Sequence, residues 1–502
     1  MQEESNVNRL NRQFHPAPRY PEKVIQFGEG NFLRAFADWH IQRMNQHADF
    51  QAGVVIVQPL PNGMAEALNE QDGLYTIYTE GMQDGELVQQ QDVMDCVTRG
   101  INPYTQYEQY EQLAQQPELR YIISNTTEAG IAFDPADTLE DMPQRSYPGK
   151  LTALLYRRYT HFQGDPSKGF IILPCELIDR NGDELKRIVL QYAELWQLEA
   201  GFIQWLEQDN VFCCSLVDRI VPGYPKARMP EITQELGYED HFVVVSEPFH
   251  LWVIEAPASL AAEWPAAAAG LNVKIVDDMT PYRTRKVRIL NGAHTAMTPV
   301  SYLYGLYTVS EAVGNEVTGA FVRDLIHQEI IPTLDLPEEE LQSFAVAVLE
   351  RFANPYVQHQ LMSISLNGIS KFKTRDLPTL LTFIEQQGHL PRRLTFALAA
   401  LFVFYRGQRN GQHIALNDDA QVLSRFAQWW TAYDDHNISI QQLAEQALSE
   451  TTFWEQNLHA IDGLTERVAA DMQSMLEKGM GTALQQMMQE PSELRRPSQS
   501  TI

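Results

Sequence analysis

The stretch Thr280–Ala296, TPYRTRKVRILNGAHTA, gathers residue types that move a proton onto oxygen. Lys286, Asn291 and His294 stand in it as K-x4-N-x2-H. Thr280 suits an N-cap and Pro281 a first helical position, so a helix is expected to begin there. On an α-helix Lys286 and Asn291 lie about 140° apart, with His294 between them at about 80° from the lysine. All three can then line one wall of a cleft. Reducing a ketone needs a hydride at carbon and a proton at oxygen, and a lysine ammonium can polarise the carbonyl and supply that proton. Arg283, Arg285 and Arg288 would ease its release by like-charge repulsion. Asn291 can donate to the developing alkoxide, and His294 can hold a neighbouring hydroxyl or orient the lysine. A solvated basic helix face with a satisfied histidine would show the same spacing. Asn291-Gly292 is a poor pair for a helix interior, which suggests that something other than propensity keeps it there.

The second chemical signal is VIQFGEGNFLRAF, Val24 to Phe36. A strand runs into Gly28-Glu29-Gly30 and a helix follows, the arrangement that lets a backbone approach a pyrophosphate. The residues Phe27, Gly28, Glu29, Gly30, Asn31, Phe32, Leu33 and Arg34 are therefore candidate dinucleotide contacts, although a plain structural turn also carries G-x-G. Leu33 stands where the third glycine of the usual fingerprint would be. The second strand ends in Val57-Gln58-Pro59, without the acid that normally receives ribose hydroxyls. Gln58 can still hydrogen-bond a ribose diol and no arginine stands beside it, so NAD is preferred to NADP.

The elements around these motifs define two domains. β-rich runs at 23–27, 53–58, 119–124, 169–174, 210–217, 242–246 and 272–277 alternate with helical stretches such as 33–45 and 147–161. Strands alternating with helices indicate an α/β, Rossmann-like doubly wound sheet. Beyond about Asp278 the chain becomes Leu-, Ala- and Gln-rich with 3.6-residue periodicity. Helices are expected at 319–329, 338–352, 392–405, 418–433 and 465–488, the last interrupted near Gly479 and Gly481. The expectation is a dinucleotide-binding domain over 1–277 and an all-helical substrate domain over 278–502, its tail from Pro491 disordered.

Among 502 residues, 65 acids oppose 38 bases for a net charge of −27. Such a surface repels phosphate backbones and anionic lipid, so neither nucleic acid nor membrane is an expected partner. The apolar run 394–405 is too short to cross a bilayer. The first twenty residues lack the apolar core of a secretion signal, which places the chain in the cytoplasm. Four cysteines without a C-x-x-C pair, and histidines without a zinc spacing, indicate reduced buried thiols and no metal.

Taken together, these residues resemble the mannitol dehydrogenase family of polyol-specific long-chain dehydrogenases. The family's G-x-G-x-F-x-R turn is matched by Gly28, Gly30, Phe32 and Arg34, and its K-x4-N-x2-H by Lys286, Asn291 and His294. Val217-Asp218-Arg219-Ile220, Thr127-Glu128-Ala129-Gly130 and Ser370-Lys371 match as well, over a span from about Pro21 to Met480. The resemblance implies metal-independent hydride transfer with Lys286 as acid/base, Asn291 bracing the oxyanion, and His294, Asp218 and Lys371 on substrate. Leu177, Ser363 and Arg283 depart from the residues of the sugar-alcohol enzymes. With SNTTEAG and PCELID they point to the branch that reduces D-tagaturonate to D-altronate with NADH in galacturonate breakdown. Arg283, Arg285 and Arg288, and again Lys371, Lys373 and Arg375, form two basic clusters, one of which is expected to bind the carboxylate of such a sugar acid. A fructuronate or ketose reductase of the same family is the alternative, and a non-catalytic sensor of sugar acid or dinucleotide a more distant one.

Overall fold

The computed structural model describes residues 8–127 and 129–490; Glu128 of the Thr127–Gly130 match and the tail from Pro491 lie outside them. The chain divides after Met279 into two compact units.

The strands of the first unit are, in chain order, β1 (Glu22–Phe27), β2 (Gly53–Val57), β3 (Tyr75–Gln83), β4 (Glu86–Met94), β5 (Val97–Ile101), β6 (Tyr121–Ser124), β7 (Ile171–Pro174), β8 (Val211–Phe212), β9 (Cys214–Asp218), β10 (Val244–Ser246), β11 (Leu251–Glu255) and β12 (Val273–Val276). Six of them form a wholly parallel sheet in the order β5-β2-β1-β6-β7-β8. Counted among themselves these are strands 3-2-1-4-5-6, the doubly wound order whose direction reverses beside β1. The apolar runs serve both faces. Val24, Val54, Ile56, Ile123 and Leu173 enter one core with Trp39, Ile41 and Trp252. The alternate residues Ile25, Val55, Val57, Ile122 and Ile172 enter a second core with Leu151, Leu154 and Ile188 from the helices Tyr147–His161 and Asn181–Leu195. Ser146 caps the first of these helices by accepting from the Gly149 N–H at 2.9 Å.

Two smaller sheets complete the unit. β3 pairs with β4 antiparallel and with β10 parallel, while β11 pairs with β9 antiparallel and β12 parallel. The expected single strand at 210–217 is thus two strands in different sheets, parted at Cys213. All four cysteines are buried, with free thiols.

The second unit is largely helical, and an all-helical reading needs one correction: Gln408–Arg409 and Gln412–His413 pair as a short antiparallel hairpin. Its centre is the helix Arg392–Phe404, apolar on every side and buried throughout from Leu394. The buried Glu329 carboxylate receives the backbone N–H groups of Arg393 (2.7 Å) and Leu394 (2.9 Å), neutralising donors that the first helical turn leaves unpaired. Arg392 grips Asp471 through two bonds of 2.7 and 2.8 Å and so ties this helix to Leu464–Lys478. Among the described residues no helix is long and apolar enough to cross a membrane.

Candidate active site

The glycine turn follows β1 at the reversal point of the sheet. Gly28 has φ +118°, a backbone state that L side chains rarely adopt, and a Cβ there would come within 2.9 Å of the Asn125 carbonyl oxygen beyond β6. Its N–H donates to Val57 O at 3.1 Å. Gly30 opens the short helix Asn31–Ala35, and a Cβ on it would meet nothing within 4 Å. The first glycine is therefore required by the backbone, and the second leaves room above the turn. Phe27 and Leu33 are buried beneath it. Phe32 stacks on Phe36 with ring centroids 5.0 Å apart. Arg34 is buried as well: it donates to Glu29 O (3.0 Å), Asn31 Oδ1 (2.7 Å) and Phe242 O (2.5 Å) and lies over the Tyr75 and Phe242 rings. Of the eight candidate contacts, Gly28 to Asn31 form the turn itself, Phe27, Leu33 and Arg34 support it from below, and Phe32 packs on Phe36.

Gln58 follows the second strand. Its Nε2 donates to Leu60 O (2.7 Å) and Pro61 O (3.1 Å), and its Oε1 accepts from the Ala65 N–H (3.3 Å). The amide shapes its own loop at both ends, which leaves it few groups for a ribose diol.

Asp218 ends β9 and is buried. The next residue, Arg219, donates to Ala35 O at 2.7 Å and Glu247 O at 2.9 Å, fixing this segment against the helix of the glycine turn. Beyond β7 the buried Glu176 carboxylate accepts from Ser124 Oγ, Thr126 N–H and Thr126 Oγ1, each at 3.0 Å, and so binds the ends of β6 and β7 together. Leu177 beside it is 65% exposed.

In the second unit the lysine motif lies on one continuous helical run with a change of winding: α over Thr280–Arg285, π over Lys286–Gly292, and α again over Ala293–Tyr304. This replaces the 140° separation expected of an α-helix. In a π turn the backbone bond joins residues five apart, so Lys286 and Asn291 come onto roughly the same face. Gly292 is explained by packing, since a Cβ there would lie 2.8 Å from Asp376 Oδ1. The arginines are mostly structural. Arg285 is buried, pairs with Glu340 at 3.0 Å and lies 4.3 Å over the Phe344 ring; Arg288 donates to Thr379 Oγ1 at 3.0 Å and faces the charge of Asp376.

The His294 ring stacks on Phe352 at 4.2 Å and meets His359 edge-on at 5.1 Å. Its Nε2 is buried without a hydrogen-bond partner among the described residues. Burial first, then His359, Arg351, Arg375 and Lys371, hold the imidazole well below its ordinary range, so it is neutral at neutral pH. Phe352, Arg351 and His359 were not singled out from sequence; they lie 57 to 65 residues away with no spacing signal to connect them. The helix Gly368–Arg375 packs on the π segment and divides the three candidate carboxylate ligands. Lys371 and Arg375, four residues apart, share a face: Lys371 donates to Ile364 O at 2.7 Å and Arg375 to Thr295 Oγ1 at 3.2 Å, one residue from His294. Lys373, about 200° from Lys371 around the helix, pairs instead with Glu455 at 2.8 Å.

Two family profiles cover most of the chain: the mannitol dehydrogenase Rossmann domain over residues 22–266 and the mannitol dehydrogenase C-terminal domain over 278–476. The chain belongs to the mannitol dehydrogenase family. Within that family, altronate oxidoreductase of Escherichia coli O1:K1 / APEC is 52% identical over 476 residues, 95% of this chain and 99% of the relative. The altronate oxidoreductase of Escherichia coli O139:H28 (strain E24377A / ETEC) is 51% identical over the same length. The fold matches D-sorbitol dehydrogenase in substrate-free form at a TM-score of 0.75 and 20% identity, covering 95% of this chain and all of that one. It also matches the mannitol 2-dehydrogenase of Pseudomonas fluorescens, solved as a ternary complex with NAD and D-mannitol, at 0.64 and 21%, covering 96% of this chain and all of that one. As a mannitol dehydrogenase family member the chain is an oxidoreductase built on a Rossmann domain and a largely helical C-terminal domain.

Proposed function

We propose that this protein interconverts D-tagaturonate and D-altronate with NADH and NAD, in the cytoplasm. The observation that carries the reading is the match at 52% identity, over nearly the full length of both chains, with altronate oxidoreductases. The glycine turn fits a dinucleotide: positive φ at Gly28, open space at Gly30 and the reversal point of the sheet are what a pyrophosphate requires. When bound, the nicotinamide supplies the hydride for the carbonyl carbon.

The side chains of the second unit supply the rest. The Lys286 ammonium donates a proton to the ketone oxygen during reduction, and the amine takes it back from the alcohol in the reverse direction. Asn291, on the same face of the π turn, donates its amide N–H to that oxygen as negative charge builds. Neutral His294 offers its unpartnered Nε2 to a neighbouring substrate hydroxyl. Lys371 and Arg375 receive the carboxylate, each with N–H groups left after the one side-chain hydrogen bond it makes among the described residues.

The test is NADH oxidation with D-tagaturonate, D-fructuronate and D-fructose, repeated with NADPH. The proposal expects kcat/KM for tagaturonate at least about tenfold above either rival, a difference of some 1.4 kcal/mol in transition-state binding. Preference for fructuronate would assign the chain to a different uronate, and no turnover of any ketone would refute the proposal.

A further inference from the structure

In a sheet of order 3-2-1-4-5-6, an acid at the end of the second strand normally receives the adenosine ribose hydroxyls. Here that position is Gln58, whose amide is spent on Leu60, Pro61 and Ala65. A carboxylate nevertheless reaches the same place from the neighbouring strand. Phe27 and Val57 are register partners in β1 and β2, and Glu29 follows Phe27 by two residues. Glu29 Oε1 accepts from the Met64 N–H at 3.3 Å, which puts the carboxylate against the loop that Gln58 shapes. A Cβ on Gly63 would run into both Glu29 Oε1 and the Gln58 side chain, so the loop needs glycine at the point where the two meet. Burial pushes this carboxyl up from its usual range, and the backbone N–H groups of Glu29 and Met64 pull it back; among the described residues no other residue donates to it. The same loop exposes apolar side chains, Leu60 at 61% and Met64 at 38%, as a flat base would require of its neighbours.

We propose that Glu29, the middle residue of the glycine turn, has taken over the ribose-reading acid of this fold and sets the preference for NAD over NADP. The inference rests on the cofactor reading above and deepens it. A carboxylate accepts both ribose hydroxyls through charge-assisted bonds, and it repels a 2′-phosphate that neutral Gln58 would tolerate. Arg34, the cation beside the turn, cannot offset that repulsion, because its guanidinium is committed beneath the turn to Glu29 O, Asn31 and Phe242 O.

The experiment is equilibrium titration of NADH and NADPH against the full-length protein and its Glu29→Gln variant, read by nucleotide fluorescence without substrate. Gln retains an acceptor for the Met64 N–H, so the loop keeps its anchor. The wild type should bind NADH about 100-fold more tightly than NADPH. Glu29→Gln should weaken NADH by about tenfold or more, the range of a lost charge-assisted pair, while NADPH binds no worse or more tightly. Unchanged affinities for both nucleotides in a variant whose parent binds NADH would overturn the assignment of Glu29 alone. Equal weakening of both would overturn it too, as damage to the turn. A wild type that binds neither nucleotide would bring down the cofactor reading and this inference with it.

Discussion

Replacing Lys371 with Met or Arg375 with Gln should raise KM for tagaturonate, whereas replacing Lys373 with Gln should not. All three are cations on one eight-residue helix, so charge alone does not distinguish them. Lys371 and Arg375 face Ile364 and Thr295, beside His294, while Lys373 faces Glu455. A hydrogen bond to a charged group contributes about 1.5–3 kcal/mol, which is roughly 10- to 150-fold in binding. Lys371 and Arg375 are only half-buried, so the low end applies, about tenfold for each. Lys373 makes a surface pair with Glu455, which is 78% exposed, and such pairs are worth about 0–1 kcal/mol of stability. Its KM should stay within about twofold of wild type. Steady-state rates at saturating NADH, with tagaturonate and with an uncharged ketose, separate the outcomes, since only the uronate should suffer. Arg375 also flanks the buried Asp376, so its variant needs a melting curve beside the kinetics. If Lys373→Gln matches the other two, or if none changes KM, the assignment of the carboxylate to this helix face is wrong.

Two further outcomes follow from packing and titration. Gly292→Ala should destabilise by about 1–3 kcal/mol, the usual cost of overpacking, because the new methyl would stand 2.8 Å from the buried Asp376 carboxylate; kcat should fall with it through Asn291, and an unchanged melting temperature would refute the contact. His250, pushed down to about 4 by burial and then by Arg219, accepts from the Asn272 N–H at 3.1 Å through Nε2. The unfolded ring takes up a proton below about pH 6.5 and the folded ring does not, so this stability is complete above pH 6.5 and declines as pH falls towards 4. Asp38, raised to about 7 by burial, works in the opposite sense, so wild type must be compared with His250→Gln. Denaturant unfolding should show the wild type losing about 2 kcal/mol more than the variant between pH 7 and 5; equal slopes would contradict it.

The parts of the fold that were legible in sequence are those written in composition and period. The helices Tyr147–His161 and Glu338–Phe352 fall where the sequence pattern places them, and the buried strands β1, β2, β6 and β7 where short apolar runs do. The hairpin β3–β4 went unread because β4, ELVQQQDVM, is polar and mostly exposed. Its turn was nonetheless announced: Asp84 and Gly85 both take positive φ, as the two-residue Asp-Gly hairpin demands. The break at Phe36, between Asn31–Ala35 and Ala37–His47, has no breaker residue to mark it; Phe36 lies in a nest of Phe32, His40 and Trp252 that only tertiary structure assembles. The π turn was visible only as an ill-fitting Asn-Gly pair. Its consequence, Lys286 and Asn291 on one face, follows from winding, which composition does not encode. Arg351 and His359 reach His294 through packing alone.

The proposed reaction depends on the proton of Lys286. Lys286→Ala should be measured for turnover of tagaturonate and, in parallel, for NADH affinity by fluorescence titration. The variant's kcat should be lower by about 10²–10⁴-fold, the usual share of a general acid, with NADH affinity and melting temperature as in the wild type. Turnover within tenfold of the wild type would contradict it, because the ketone oxygen would then be taking its proton from another donor.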